Sequence, residues 1–408
     1  MIALGSAAFV AITILSLSTT KLGQKAAAAP AFLLVVGAAI SLLYRAVGFP
    51  IAPVEFSAGA AEAGLAALAF ASASQFKISR LASHCPSAFR LTLGGAPLFL
   101  FACGLAAFIL LPQLNLASAL LLGGALMLNG AAFDRRAVIN APAPAEIKSA
   151  VRLESAAIIA LGTPIAILLA ANATATSTNE PAAGPLFQAS LSVFKGFALG
   201  GSAGLLVAIA GNRLRKKNKQ KAQRVDGVHI MLAAVVIFCL SGFVGANPVV
   251  AVTALGLLWG EETKALLTTR LRMRRLVEQG VSPMTYLAFG CLFAPRVLQA
   301  DLLSIVFALA AVTVMRAGPR LAILQTKALP KESQVFLAWF GGAPGAASAL
   351  FLIMLLGNAA LTNQEGVLTV GALAVSAGVI AARMTSKPLV NAFLRQQALA
   401  RKRRMVIG

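Results

Sequence analysis

The sequence predicts an all-α polytopic membrane protein of about thirteen transmembrane helices, arranged as inverted six-helix repeats with two crossed, discontinuous helices at spans five and twelve. Three observations carry that prediction. Of 408 residues, 59% are hydrophobic and 12% charged, which is more apolar surface than one globular core can hide. Apolar runs of about 17 to 25 residues, long enough to cross a roughly 30 Å hydrocarbon layer, recur along the whole chain. Two of these runs, "LLLGGALMLNGAAF" and "WFGGAPGAAS", are interrupted near their middles by residues that break helices.

Taken in order, the spans fall near 2–19, 27–44, 54–75, 91–111, 115–133, 153–171, 186–210, 228–246, 247–260, 281–298, 301–317, 334–357 and 366–384. Met1 to Ser18 lacks a basic leading segment and therefore reads as a first span, not a cleavable signal. The ninth, "NPVVAVTALGLLWG", is short.

The loops test the order of spans independently. Odd-numbered loops hold Lys21 and Lys25; Lys77, Arg80 and Arg90; Arg135, Arg136, Lys148 and Arg152; the seven basic residues of "RLRKKNKQKAQR"; five from Lys264 to Arg275; and Arg316, Arg320, Lys327 and Lys331. Even-numbered loops hold only Arg45 and Arg296. By the positive-inside rule the N-terminus lies outside and the C-terminus, with "RKRR" at 401–404, in the cytoplasm of a multi-pass cell (inner) membrane protein. An odd span number also fits two six-helix units of opposite orientation joined by one linking helix. The expected divisions are 1–211 for the first repeat and linking helix, 212–227 for a basic cytoplasmic linker, 228–388 for the second repeat, and 389–408 for a basic cytoplasmic tail.

A net charge of +22 suggests nucleic acid in a soluble protein, but here the charge alternates between loops, so no nucleic-acid partner is expected. The charge of the linker reads as anchoring against anionic headgroups of the lipid bilayer. Cys85, Cys103, Cys239 and Cys291 form no CxxC pair, and with only His84 and His229 to join them no metal site and no cofactor is expected. Neither a Ser/His/Asp set nor a phosphate-binding loop occurs, so an enzyme is not expected.

In hydrocarbon every backbone N–H and C=O must be satisfied internally, so a helix breaks only where protein or a polar cavity receives the freed groups. Pro344 has no N–H to donate, and Gly341, Gly342 and Gly345 ease unwound backbone. Span five carries Gly123-Gly124 and then Asn129-Gly130, a polar residue and a breaker at a depth where lipid-facing positions are apolar. Both are fifth in their six-helix units. Interruptions at equivalent positions of two halves point to an inverted-repeat secondary transporter with a central site.

At these residues the chain resembles the monovalent cation:proton antiporter family of the bacterial sodium-proton exchanger type. "AEAGLAALAFASASQFKISRLASHCPSAFRL" (61–91), "PAEIKSAVRLESAA" (144–157) and "KESQVFLAWFGGAPGAASALFLIML" (331–355) are similar in order and spacing to the family's third span, its entry to the sixth, and its twelfth. The resemblance implies a mobile core domain with two crossed broken helices, a separate dimerisation domain, a homodimer, and exchange of Na⁺ or K⁺ against H⁺ as transported ions. It also marks departures. Asn129-Gly130 stand where the family has Thr-Asp, Ile158-Ile159 where it has Asn-Asp, and Pro344 where it has the Arg that pairs with the counterpart of Glu154. A slipped alignment would recruit Asp134, although Arg135 and Arg136 beside it mark a cytoplasmic loop.

The remaining acidic residues in spans are Glu55, Glu62 and Glu154. Glu55 lies near the outer end of its span and reads as solvated, while Glu62, seven residues on along one face, suits an aqueous funnel. Glu154 is the chief candidate for the protonatable group, either protonated or matched to another base, with Lys195 of span seven as such a base if the helices bring them together. Asn129, Ser155, Thr163 and the carbonyls freed around Gly130 and Gly342 supply oxygen ligands suited to a hard monovalent cation. Two functions stay open: a cation:proton exchanger working by alternating access, or a transport-inactive relative serving as sensor, scaffold or partner subunit. Retention of both breaks favours transport.

Overall fold

The computed structural model describes residues 30–47, 54–130, 144–175, 183–217, 219–263, 267–325, 330–361 and 363–407. The expected first span at 2–19, Asp134 and the side chain of Glu55 lie outside what is described. In chain order the helices are α1 (Pro30–Val47), α2 (Val54–Ala73), α3 (Ile78–His84), α4 (Pro86–Arg90), α5 (Ala96–Leu110), α6 (Leu116–Met127), α7 (Ala145–Ala175) and α8 (Ala183–Lys217). They continue as α9 (Lys219–Val244), α10 (Pro248–Glu262), α11 (Leu267–Leu298), α12 (Leu302–Val312), α13 (Val314–Leu324), α14 (Lys331–Phe340), α15 (Ala346–Leu356) and α16 (Gln364–Ile407). A π-helical turn at Leu91–Gly95 joins α4 to α5. Among the described residues the sole β pairing is one isolated antiparallel bridge, Asn129 to Pro344.

Each of spans two to thirteen falls on a described helix, and among the described residues eight helical segments are long and apolar enough to cross a membrane. Large apolar side chains such as Phe194, Phe243 and Leu302 point outward. In water such a surface would aggregate, whereas in lipid it is the wetted face. The segment expected as a linker at 212–227 is helical on both sides of residue 218, as the end of α8 and the start of α9.

With lipid outside, helices gain little from hydrophobic exclusion and associate by close backbone approach, which small residues permit. Gly196, Gly200 and Gly204 repeat every four residues and form one edge of α8. A methyl group at Gly200 would overlap the Ala251 carbonyl, and one at Gly204 would sit 2.6 Å from Leu255 O, so α8 and α10 lie backbone to backbone. The short α10 is fully enclosed from Val249 to Leu255, which explains how fifteen residues suffice: it is lined by protein more than by lipid. Asn247 caps it, its Oδ1 accepting from Val250 N at 3.1 Å.

One expectation is corrected here. The eleventh span does not end near 317 with Arg316 and Arg320 in a cytoplasmic loop. After a break at Thr313 (φ −106°, ψ −86°) the chain resumes as α13 and runs to Leu324, with both arginines 2% exposed. Their spacing of four places them on one face, and that face turns into the protein. Arg316 lies over the Trp339 ring at 5.0 Å, a cation–π contact, and Trp339 Nε1 in turn donates to Thr385 Oγ1 at 2.9 Å.

Candidate functional site

The site is built where the two interruptions meet. α6 ends at Met127, and Leu128 turns the chain to extended backbone (φ −63°, ψ 121°). α14 ends at Phe340, Gly342 adopts φ +67°, a left-handed conformation that glycine accepts without steric penalty, and α15 starts only at Ala346. The groups released by each break satisfy the other. Gly130 N donates to Ala343 O at 2.9 Å, Ser348 Oγ donates to Leu128 O, and Ser155 Oγ of α7 donates to Gly130 O at 2.6 Å. Asn129, Ser155 and Ser348 are each fully buried. This accounting is what an interrupted backbone inside a bilayer requires.

Against the crossing stands an ion pair. Arg320 of α13 donates through Nη1 to Glu154 Oε1 and through Nη2 to Glu154 Oε2 at 2.8 Å, in a fork-to-fork arrangement, with the two side chains 3% and 0% exposed. The same guanidinium donates from Nε to Ala338 O at 3.1 Å and from Nη2 to Leu337 O at 3.0 Å. Those carbonyls belong to the last turn of α14, where the helix presents partial negative charge, so the cation is held by a carboxylate and a helix end together. Gly341 makes room for it. A side chain there would overlap the Arg320 guanidinium and come within 2.6 Å of Glu154 Oε2.

Two readings of the sequence are thereby corrected. The base matched to Glu154 is Arg320 of span eleven, not Lys195, whose Nζ donates to Val244 O at 3.2 Å and caps the end of α9. Nor does the Pro344 position leave Glu154 without an arginine, because the partner arrives from a different helix than the alignment implied. The sequence signal for Arg320 was its spacing from Arg316 beside a proline-bearing apolar run, which counting loop charges obscured.

The other candidates divide into those near the crossing and those away from it. Asn129, Gly130, Gly342, Pro344 and Ser155 are brought together. Thr163 is fully buried beside Gly162, which packs on Met127 and Leu128, but its hydroxyl hydrogen goes to Ile159 O at 2.5 Å within α7. Ile158 and Ile159 are core residues. Glu62 lies half-buried on α2; its neighbours Ala61 and Gly64 line a cavity of about 470 Å³ between α2, α11 and α15. Among the described residues no group of His, Cys, Asp and Glu is placed to hold a metal ion.

One polar group at the crossing stays without a partner. Asn129 is 0% exposed, and neither its Oδ1 nor its Nδ2 finds a hydrogen bond among the described residues. An amide so placed offers an acceptor oxygen and a donor nitrogen at the meeting point of two broken helices.

The family model for sodium/hydrogen exchanger, transmembrane, matches residues 6–391. The chain belongs to the sodium/hydrogen exchanger family. As a member it is a multi-pass helical membrane protein, and membership of this exchanger family supports cation:proton antiport. No curated protein sequence matches it. Among solved structures this exchanger-family chain is similar to the sodium proton antiporter MjNhaP1 from Methanocaldococcus jannaschii at pH 8, with TM-score 0.68 and 15% identity over 93% of this chain and 99% of that one. It is also similar to the electron-microscopy structure of the same antiporter, with TM-score 0.60 and 15% identity over 96% of each chain. At that identity the likeness speaks for the fold of this exchanger-family member.

Proposed function

We propose that the protein is a secondary transporter exchanging Na⁺ or K⁺ against H⁺ by alternating access, as a homodimer, with the N-terminus outside and the C-terminus cytoplasmic. The observation that carries this reading is the unpartnered, fully buried amide of Asn129 at a crossing that also adjoins the carboxylate of Glu154. A buried polar group left unsatisfied costs on the order of 1–3 kcal/mol, so its retention is rational where an ion completes its coordination. Asn129 Oδ1 and the carbonyl around Gly130 supply oxygens, and Glu154 supplies a negative charge beside the crossing.

The exchange follows from competition for that charge. With Arg320 fixed by the α14 carbonyls, a proton on Glu154 and a monovalent cation beside it each add one positive charge to the same neutral pair. Two positive charges together in this low-dielectric setting repel strongly, so occupancy by one excludes the other. Exchange on this scheme is one for one.

A second reading, that of a transport-inactive relative acting as sensor, scaffold or partner subunit, draws on the closure of Glu154 by Arg320 and on Ile158-Ile159, aliphatic where the family has a carboxylate. Proteoliposomes with an imposed pH gradient separate the two. Addition of Na⁺ or K⁺ dissipates the gradient in the first case, and Glu154→Gln abolishes the response. Cation-independent behaviour of the wild type across pH 6 to 9 would reject exchange.

A further inference from the structure

Away from the crossing, a second buried arginine is treated very differently from Arg320. Arg274 on α11 is 2% exposed, and among the described residues its only hydrogen bond runs from Nε to Glu278 Oε1 at 2.5 Å, one turn along the same helix. Nη1 and Nη2 are both buried and without a partner among the described residues. One turn earlier, Arg270 shows how the fold normally uses such a group: it lies over the Trp259 ring at 5.6 Å and donates to Ser74 O at 3.4 Å and Thr263 O at 3.0 Å.

The surroundings of Arg274 add to its charge. Arg152, half-buried at the start of α7, lies within electrostatic reach of Arg274, of exposed Arg275 and of Glu278. Arg152 and Arg275 thus add positive charge beside the Arg274–Glu278 pair. A buried guanidinium whose fork is empty, flanked by like charges, is strongly unfavourable unless an anion supplies the missing acceptors. The two free nitrogens of a guanidinium present parallel donors matched to an oxyanion such as a phosphate group, and the flanking arginines favour its negative charge.

We infer that Arg274, Arg152 and Arg275 form a binding site for a phosphate-type oxyanion, distinct from the helix crossing. Arg274 holds the anion by its two free nitrogens, Arg152 faces it from α7, and exposed Arg275 marks the way in from solvent. The phosphate belongs either to an anionic lipid headgroup or to free phosphate, and both present the same oxygens to the fork. The inference does not depend on the transport reading.

The test uses the full-length protein in two arms. In detergent, inorganic phosphate is titrated at constant ionic strength and thermal unfolding is followed. In the second arm, retention of phosphatidylglycerol against phosphatidylcholine is measured by native mass spectrometry from mixed vesicles. The expected result is binding in at least one arm, weakened about tenfold or more by Arg274→Gln and by Arg152→Gln, as loss of a charge-assisted fork predicts. Arg272→Gln, which removes an exposed charge from the same helix, leaves it unchanged. Binding in the lipid arm alone assigns the phosphate to a headgroup; binding in both shows that the phosphate group suffices. Should Arg274→Gln fail to fold, Arg152→Gln against Arg272→Gln decides. No binding in either arm, or equal loss in Arg272→Gln, overturns the site.

Discussion

Arg320 and Glu154, 166 positions apart in the chain, meet as two parallel forks beside Gly341, and the absence of a side chain at that glycine is what lets them close. Gly341→Ala is therefore expected to separate the pair. Breaking a buried ion pair on one side costs about 3–5 kcal/mol, so the variant should unfold at markedly lower temperature in detergent. An unchanged melting temperature would show that the guanidinium relocates freely.

The same pair supports a double-mutant comparison. Glu154→Leu and Arg320→Met each leave one charge uncompensated in the interior, whereas the two combined leave none. We expect the double variant to be more stable than either single one by about 2 kcal/mol or more, read by thermal or denaturant unfolding. Simple additivity of the separate losses would contradict the strength assigned to the contact.

Asn129→Leu separates stability from function. The substitution keeps approximate volume and removes two unsatisfied polar atoms, so the protein is expected to gain on the order of 1 kcal/mol while losing cation-dependent proton flux. A destabilised Asn129→Leu variant would mean that the amide is satisfied in the working protein by something other than the transported ion.

If a proton and a cation each add the same charge to the site, turnover moves no net charge. Flux in proteoliposomes is accordingly expected to be unaffected when the membrane potential is clamped at 0 or at −100 mV, since one uncompensated charge would feel about 2.3 kcal/mol over that range. A steep dependence on potential would require another titrating group in the cycle.

Packing of α8 against α10 offers a control that touches none of the crossing residues. Gly200→Val forces apart two helices whose backbones touch at Ala251, and overpacking at such a contact costs about 1–3 kcal/mol or more. Gly242, which meets nothing within 4 Å, should accept alanine with little change in melting temperature.

Much of this architecture was readable in the order of residues. Hydropathy alone places spans two to thirteen, because lipid leaves few other fates for such runs, and the breaks at Asn129-Gly130 and around Pro344 follow from the demand that backbone groups be satisfied. The partner of Glu154 was not readable. A basic residue at the end of an apolar run is assigned by default to the cytoplasmic side, and only the packing of α13 against α14 turns Arg320 inward. The free fork of Arg274 was equally hidden, since its chemistry lies in what the fold withholds from it.

One guanidinium bonded at once to α7 and to the last turn of α14 acts as a rivet through three segments that are remote in sequence. None of them can slide past the others without baring a charge in an oily interior. On the proposed exchange cycle, a body that rocks between the two faces of the bilayer carries α13 along with the interrupted helices, so its boundary runs outside that helix.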